Sequence, residues 1–229
     1  MMRKIIGKII DIVLPPSEKE TASKEAPPPA KEVKAVSLEQ LLGGALGEPP
    51  AEPDLRVIGL YSSVEDEKIA ELTQALLYLN EMNRLLPEGK EKKPVEFYIN
   101  TYGGSADDMF AMYDVMQSVM EETEIHTIGV GKVMSAGTLL LAAGTKGKRK
   151  IGKSCRVMIH NVAAGNFGTL PNLANELEAI QQLQEDYISA MVDNTKFTRK
   201  KLERLLNEKV NIYLSAEEAV KYGLADEIM

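Results

Sequence analysis

Ser135 and His160, 25 positions apart, carry the clearest chemical signal in the chain. A serine hydroxyl becomes a nucleophile when an imidazole takes its proton, and attack on a carbonyl also needs N–H donors for the oxyanion that forms. Both requirements can be met in the stretch GVGKVMSAGTLLLAAGTKGKRKIGKSCRVMIH (129–160). A serine where a strand turns into a helix lies beside the free N–H groups of the helix's first turn, which favour negative charge. Such a serine is also what an ordinary N-cap requires, so Met134-Ser135-Ala136-Gly137 carries little weight alone. His160, the glycine pair Gly103-Gly104 and the spacing supply the rest, because several roles then converge on one reaction.

These residues need a frame. Ile125 to Val130 reads as an apolar strand, Ala136 to Ala143 as a helix of small and apolar residues, and Arg156 to Ile159 as a short buried strand ending at His160. Upstream, Arg56 to Leu60 is a strand, and Glu65 to Arg84 has helical spacing through Ile69, Leu72, Leu76, Leu79 and Met82. Pro87 to Lys93 is a charged loop. Val95 to Asn100 is a strand, Thr101 to Ser105 a glycine turn, and Ala106 to Met120 a helix with Met109, Met112, Tyr113 and Met116 at core spacing. Downstream, Asn161 to Thr169 is a loop and Leu170 to Val192 a long helix suited to oligomerisation. Lys200 to Asn207 is another helix and Val210 to Leu214 a strand. Ser215 to Tyr222 is a helix capped by Ser215 with Glu218 at its third position, and Leu224 to Ile228 closes the chain. Strand and helix alternate, which implies an α/β fold with a mainly parallel sheet whose ligands gather where strands hand over to helices.

Composition limits the alternatives. The chain has 229 residues, 44% hydrophobic, and a net charge of −7, so nucleic acid is not the expected ligand. It has no apolar run near the roughly 18 residues of a membrane span. Two histidines and one cysteine, without a His-Glu-x-x-His or Cys-x-x-Cys pair, imply no metal site. Cys155, alone, cannot form an internal disulfide and reads as core, and His126 in mid-strand reads as structural.

The amino-terminal quarter differs. Met2, Ile5, Ile6, Ile9, Ile10 and Val13 share one helical face, with Arg3, Lys4, Lys8 and Asp11 largely opposite. This amphipathic segment, residues 1–14, suits a mobile or removable tail, a membrane-surface contact or a subunit dock. Eight of the eleven prolines fall between Pro15 and Pro53, so 15–54 reads as linker, with a weak helix over Ser37 to Leu46. The resulting division is 1–54, disordered or processed, and 55–229, one catalytic domain.

Residues 55–229 resemble the proteolytic subunit of the ATP-dependent Clp protease. The stretches that carry the resemblance are YINTYGG (98–104), MSAGTLLLAAGTKGKR (134–149), RVMIH (156–160) and YLSAEEAVKYGLAD (213–226). The resemblance implies a Clp protease/crotonase-like fold, a protruding handle helix, and a cytoplasmic serine endopeptidase. It further implies heptameric rings stacked into a tetradecamer, or a hetero-oligomer with a paralogous subunit. A partner AAA+ unfoldase would spend ATP to feed unfolded polypeptide into the chamber, and this chain would need no cofactor. By the same resemblance Ser135 is the nucleophile, His160 the general base, and the N–H groups of Gly104 and Ala136 the oxyanion hole.

The family's third triad residue is an aspartate, and the matching position is Asn211. Asparagine can accept a bond from Nδ1–H but brings no charge, and in one well-studied serine protease that exchange lowers k_cat about 10⁴-fold. The expectation is a weakened or assembly-dependent enzyme. Ala136, Asn161-Val162 and Tyr102 also depart from the family pattern, while Lys209 and Val210 stand where it carries charged ring-linking residues. Other readings are a structural ring subunit with decayed catalysis, a stand-alone virus-type maturation protease, and a crotonase-like acyl-CoA enzyme. The presence of both Ser135 and His160 disfavours the last.

Overall fold

A computed structural model of the chain describes residues 54–208 and 211–229. The segment 1–14, the helix expected over Ser37 to Leu46, the linker up to residue 53, and Lys209 and Val210 lie outside the described residues.

The order of elements is β1 (Val57–Leu60), α1 (Asp66–Arg84), β2 (Val95–Thr101), α2 (Ala106–Val119), β3 (Ile125–Met134), α3 (Ala136–Ala142), β4 (Lys150–Ile151), β5 (Arg156–Ile159), α4 (Leu170–Asn194), α5 (Arg199–Glu208), β6 (Ile212–Leu214), α6 (Ala216–Tyr222) and β7 (Glu227–Ile228). The strands form one sheet in the order β1-β2-β3-β4-β7, from which β5 and β6 branch, β5 pairing with both β3 and β6. Every pairing is parallel except β5 with β6. The α/β reading with a mainly parallel sheet therefore holds.

Side-chain spacing explains the layers. In α1, Ile69, Leu72, Leu76 and Leu79 are buried at intervals of three and four, the spacing of one helical face. In α2 the buried residues are Met109, Met112, Met116 and Val119, and Ser105 caps the helix by accepting the Asp108 N–H. Strand β2 buries Val95, Phe97, Ile99 and Thr101 on alternate positions. Ser215 and Glu218 form the expected capping box on α6.

Two elements depart from the sequence reading. Strand β3 runs on past Val130, where the sequence reading ends it, to Met134, with Gly131 (φ 65°) at a bulge in its pairing, and the turn that holds Ser135 follows directly. Across the bulge the pairing with β2 steps from Ile99–Gly129 to Thr101–Val133, and β3 passes from pairing with β4 to pairing with β5. The two-residue strand β4 has no periodic signature and was not expected.

The carboxyl-terminal segment is locked by a long-range ion pair. Arg149, 4% exposed, donates through Nε to Asp226 Oδ2 at 2.9 Å and through Nη2 to Oδ1 at 2.7 Å. Its Nη1 reaches the carbonyls of Ala142 and Asn194 at 2.9 and 2.6 Å. The Arg149 hydrogen bond holds the Asp226 carboxyl down to about 2, against 3.8 ordinarily. The pair's contribution is thus present above the unfolded value near 4 and is lost as pH falls towards 2. Asp226→Asn is expected to destabilise the domain by about 2 kcal/mol near neutral pH, with the gap narrowing below pH about 4. Urea unfolding at several pH values measures this; a gap that does not shrink with acid would contradict it.

Candidate active site

The β3–β5 pairing makes the site. Met134 is in register with Met158, and the Ser135 N–H donates to the Met158 carbonyl at 2.8 Å. That bond ties the serine to the strand that ends at Ile159, one residue before His160. Ser135 Oγ and His160 Nε2 consequently lie 2.8 Å apart, the distance a hydroxyl needs to hand its proton to an imidazole. With Nε2 accepting that hydroxyl, the neutral ring carries its hydrogen on Nδ1.

Ser135 has φ 53° and ψ −124°, and it is the one non-glycine residue with positive φ among the described residues. An L-residue holds such a conformation only where its surroundings impose it, and such residues cluster at functional sites. Here the constraint comes from three bonds. Besides the Met158 contact, the Ser135 carbonyl accepts the Thr138 N–H at 2.9 Å and the Thr138 Oγ1 hydroxyl at 2.6 Å. Thr138 Oγ1 also lies 2.9 Å from the Tyr187 hydroxyl on α4, so the long helix braces the turn that bears the serine. Tyr187 is fully buried, which pushes its phenol up to about 12 and keeps it neutral. In the sequence Tyr187 reads only as one apolar position of the long helix.

The opposite wall is Thr101 to Ser105. A β-carbon on Gly103 would fall 2.5 Å from Ser135 Cβ, and one on Gly104 would fall 2.1 Å from the Val64 carbonyl oxygen. Only glycine permits this close approach. The bridge between Val64 and Gly104 uses the Val64 N–H, bonded to Gly103 O at 2.9 Å, and the Ser105 N–H, bonded to Val64 O at 2.8 Å. It leaves out the N–H of Gly104 itself. The Ser135 N–H is likewise already engaged, so the first N–H of α3 with no such partner is that of Ala136. Gly104 and Ala136 both line the cleft that holds Ser135 and His160. That cleft, about 210 Å³, is walled also by Ala106, Met109, Val162 and Ala163, with Ser105, Asn161 and Tyr187 as its further polar residues.

Asn211 is placed differently. It is exposed, just before β6, and makes no hydrogen bond to His160; the two residues line a second cleft together. The carbonyl contact to Nδ1–H that the sequence suggests is therefore not made. His160 is positioned instead through its neighbour, since Asn161 Nδ2 donates to the Leu206 carbonyl on α5 at 3.1 Å. Tyr102, 71% exposed, lies under the Lys132 ammonium, 4.4 Å from the ring centroid, outside the cleft of Ser135.

The remaining candidates behave as core or surface. Cys155 is buried, which raises its thiol to about 11 and leaves it neutral and inert near pH 7. His126 Nε2 lies 2.9 Å from Glu124 Oε2 at the start of β3, at the other end of the strand from Ser135. That hydrogen bond lowers the Glu124 carboxyl from its ordinary value.

A family model described as Clp protease matches residues 53–229. The ATP-dependent Clp protease proteolytic subunit of Deinococcus radiodurans is 33% identical over 174 residues, covering 76% of this chain and 80% of the relative.

Proposed function

The chain belongs to the Clp protease family and is a serine-type peptidase, and we propose that Ser135, His160 and the N–H groups of Gly104 and Ala136 carry out its reaction. Ser135 Oγ attacks a peptide carbonyl as His160 Nε2 takes the hydroxyl proton. The oxyanion forms against the two N–H groups, and His160 returns the proton to the departing amine, leaving an acyl-serine. A water molecule, deprotonated by the same nitrogen, then releases the acid. The observation that carries this reading is the 2.8 Å contact between His160 Nε2 and Ser135 Oγ.

We further propose that the chain works as a subunit of a ring assembly in the cytoplasm, receiving unfolded polypeptide from an ATP-driven unfoldase. Helix α4, 25 residues long, supports an assembled state. Its buried residues all lie in the last third, from Tyr187 onward, while Leu170 and Leu177 near its start are 82% and 56% exposed. A second copy offers the same apolar stripe and would cover it. No helix among the described residues is long and apolar enough to cross a membrane.

One observation favours a second reading, a ring subunit with weakened catalysis: Asn211 carries no charge and does not reach His160. Hydrolysis of a fluorogenic peptide, with particle mass from light scattering on the same sample, separates the two. A self-sufficient peptidase turns over in a large homo-oligomer, whereas a structural subunit is silent until a paralogous chain is added. Asn211→Asp is expected to raise k_cat about tenfold, short of the roughly 10⁴-fold effect of an aligned aspartate, because the side chain must first swing onto Nδ1. An unchanged k_cat would show that this position does not limit the rate.

A further inference from the structure

With Asn211 neutral and unbonded to His160, the imidazolium that forms during attack lacks a carboxylate at the family's third position. The cleft on that side of His160 is lined also by Leu206, Asn207 and Glu208, the last three residues of α5. Glu208 is the only carboxylate among its lining residues. We propose that Glu208 is the positioning residue of this active site, its carboxylate serving His160 in place of the missing aspartate. This rests on the reading of Ser135 and His160 as the reacting pair.

Three features support it. The end of α5 is tied to the residue that follows the histidine by the 3.1 Å bond from Asn161 Nδ2 to Leu206 O, so Glu208 is held two residues beyond a fixed point. The last carbonyls of a helix carry partial negative charge, so the same helix end also favours an imidazolium. Finally, Glu208 has little to give up. Its ion pair is with Arg204 at 3.8 Å, with both side chains more than half exposed, a contact of small energy. The carboxylate is therefore free to leave Arg204 for the cleft it shares with His160 as charge develops on the ring.

The test compares Glu208→Gln, Glu208→Asp, and Glu208→Gln combined with Asn211→Asp in the full chain, with k_cat and KM measured on a fluorogenic peptide. Ser135-dependent labelling by a fluorophosphonate is followed in parallel. Glu208→Gln is expected to lower k_cat about tenfold with KM changed less than about twofold, as for an interaction made chiefly in the transition state. Glu208→Asp should retain most of the activity, and Asn211→Asp should restore it in the Gln background. The distinguishing readout is non-additivity: Glu208→Gln should cost much less in the Asn211→Asp background than in the parent chain, whereas a merely structural residue would cost the same factor in both. The inference falls if Glu208→Gln matches the parent chain while labelling still depends on Ser135, or if neither aspartate rescues the loss. Labelling that does not depend on Ser135 would instead overturn the reading of the site itself, and this inference with it.

Discussion

Ser135→Ala is expected to reduce peptide hydrolysis by at least about 10⁴-fold while leaving the fold in place, since members of such a constellation act as a unit. The bonds that impose the Ser135 conformation involve its backbone N–H and carbonyl and survive the change. Only the hydroxyl contact to His160 is lost, and Nε2 borders an open cleft where water can replace it. The unfolding free energy should therefore stay within about 1 kcal/mol of the parent chain's, the scale of one hydrogen bond. The lone thiol, Cys155, does not substitute for it, because it is buried and protonated near neutral pH. Hydrolysis that persisted at a tenth of the parent rate would mean a different nucleophile.

The second large effect concerns the oxyanion donors. In Gly104→Ala the new methyl group would fall 2.1 Å from the Val64 carbonyl oxygen and 2.7 Å from its nitrogen, both backbone atoms that cannot rotate aside. Residue 104 or Val64 must move, and the N–H of residue 104 moves with it. Loss of one oxyanion donor lowers k_cat by about 10²- to 10³-fold, and this variant is expected in that range with a smaller change in KM. Because the Val64 bridge also joins β1's exit to the loop, some stability is lost too. Residual k_cat should therefore be measured at a temperature where circular dichroism reports a folded chain. Near-parent k_cat in folded Gly104→Ala would remove Gly104 from the oxyanion hole. Gly103→Ala makes a useful companion, because its methyl group would strike Ser135 Cβ at 2.5 Å and disturb the nucleophile in place of the donor.

The sequence carries the helices and the Ser135–His160 pairing well, for a local reason. Apolar residues three and four apart in α1 and α2 mark a buried face, and Ser215 with Glu218 marks a helix start, whatever the rest of the chain does. The pairing of Ser135 with His160 came from matching stretches and spacing. Its cause, the parallel register of Met134 with Met158, cannot be read from either strand alone. The full length of β3 was not legible, since the strand runs on through a bulge at Gly131 that its apolar pattern does not mark. Partners distant in the chain left no local trace. Arg149 and Asp226 are 77 residues apart, and Thr138 and Tyr187 are 49 apart. Asn211 is the instructive case, because alignment gives a position in the chain and not a contact. Its side chain points to no bond with His160, whereas Glu208, which the family pattern does not single out, lines the same cleft.

The central claim is that His160 activates Ser135, and covalent labelling tests it most directly. The purified chain, His160→Ala and Ser135→Ala are incubated with a fluorophosphonate, and the site of modification is located by peptide mass. The account requires an adduct on Ser135 in the parent chain, a much slower adduct in His160→Ala, and none in Ser135→Ala. An assembled parent particle that stays unlabelled, or one labelled equally fast without His160, would contradict it.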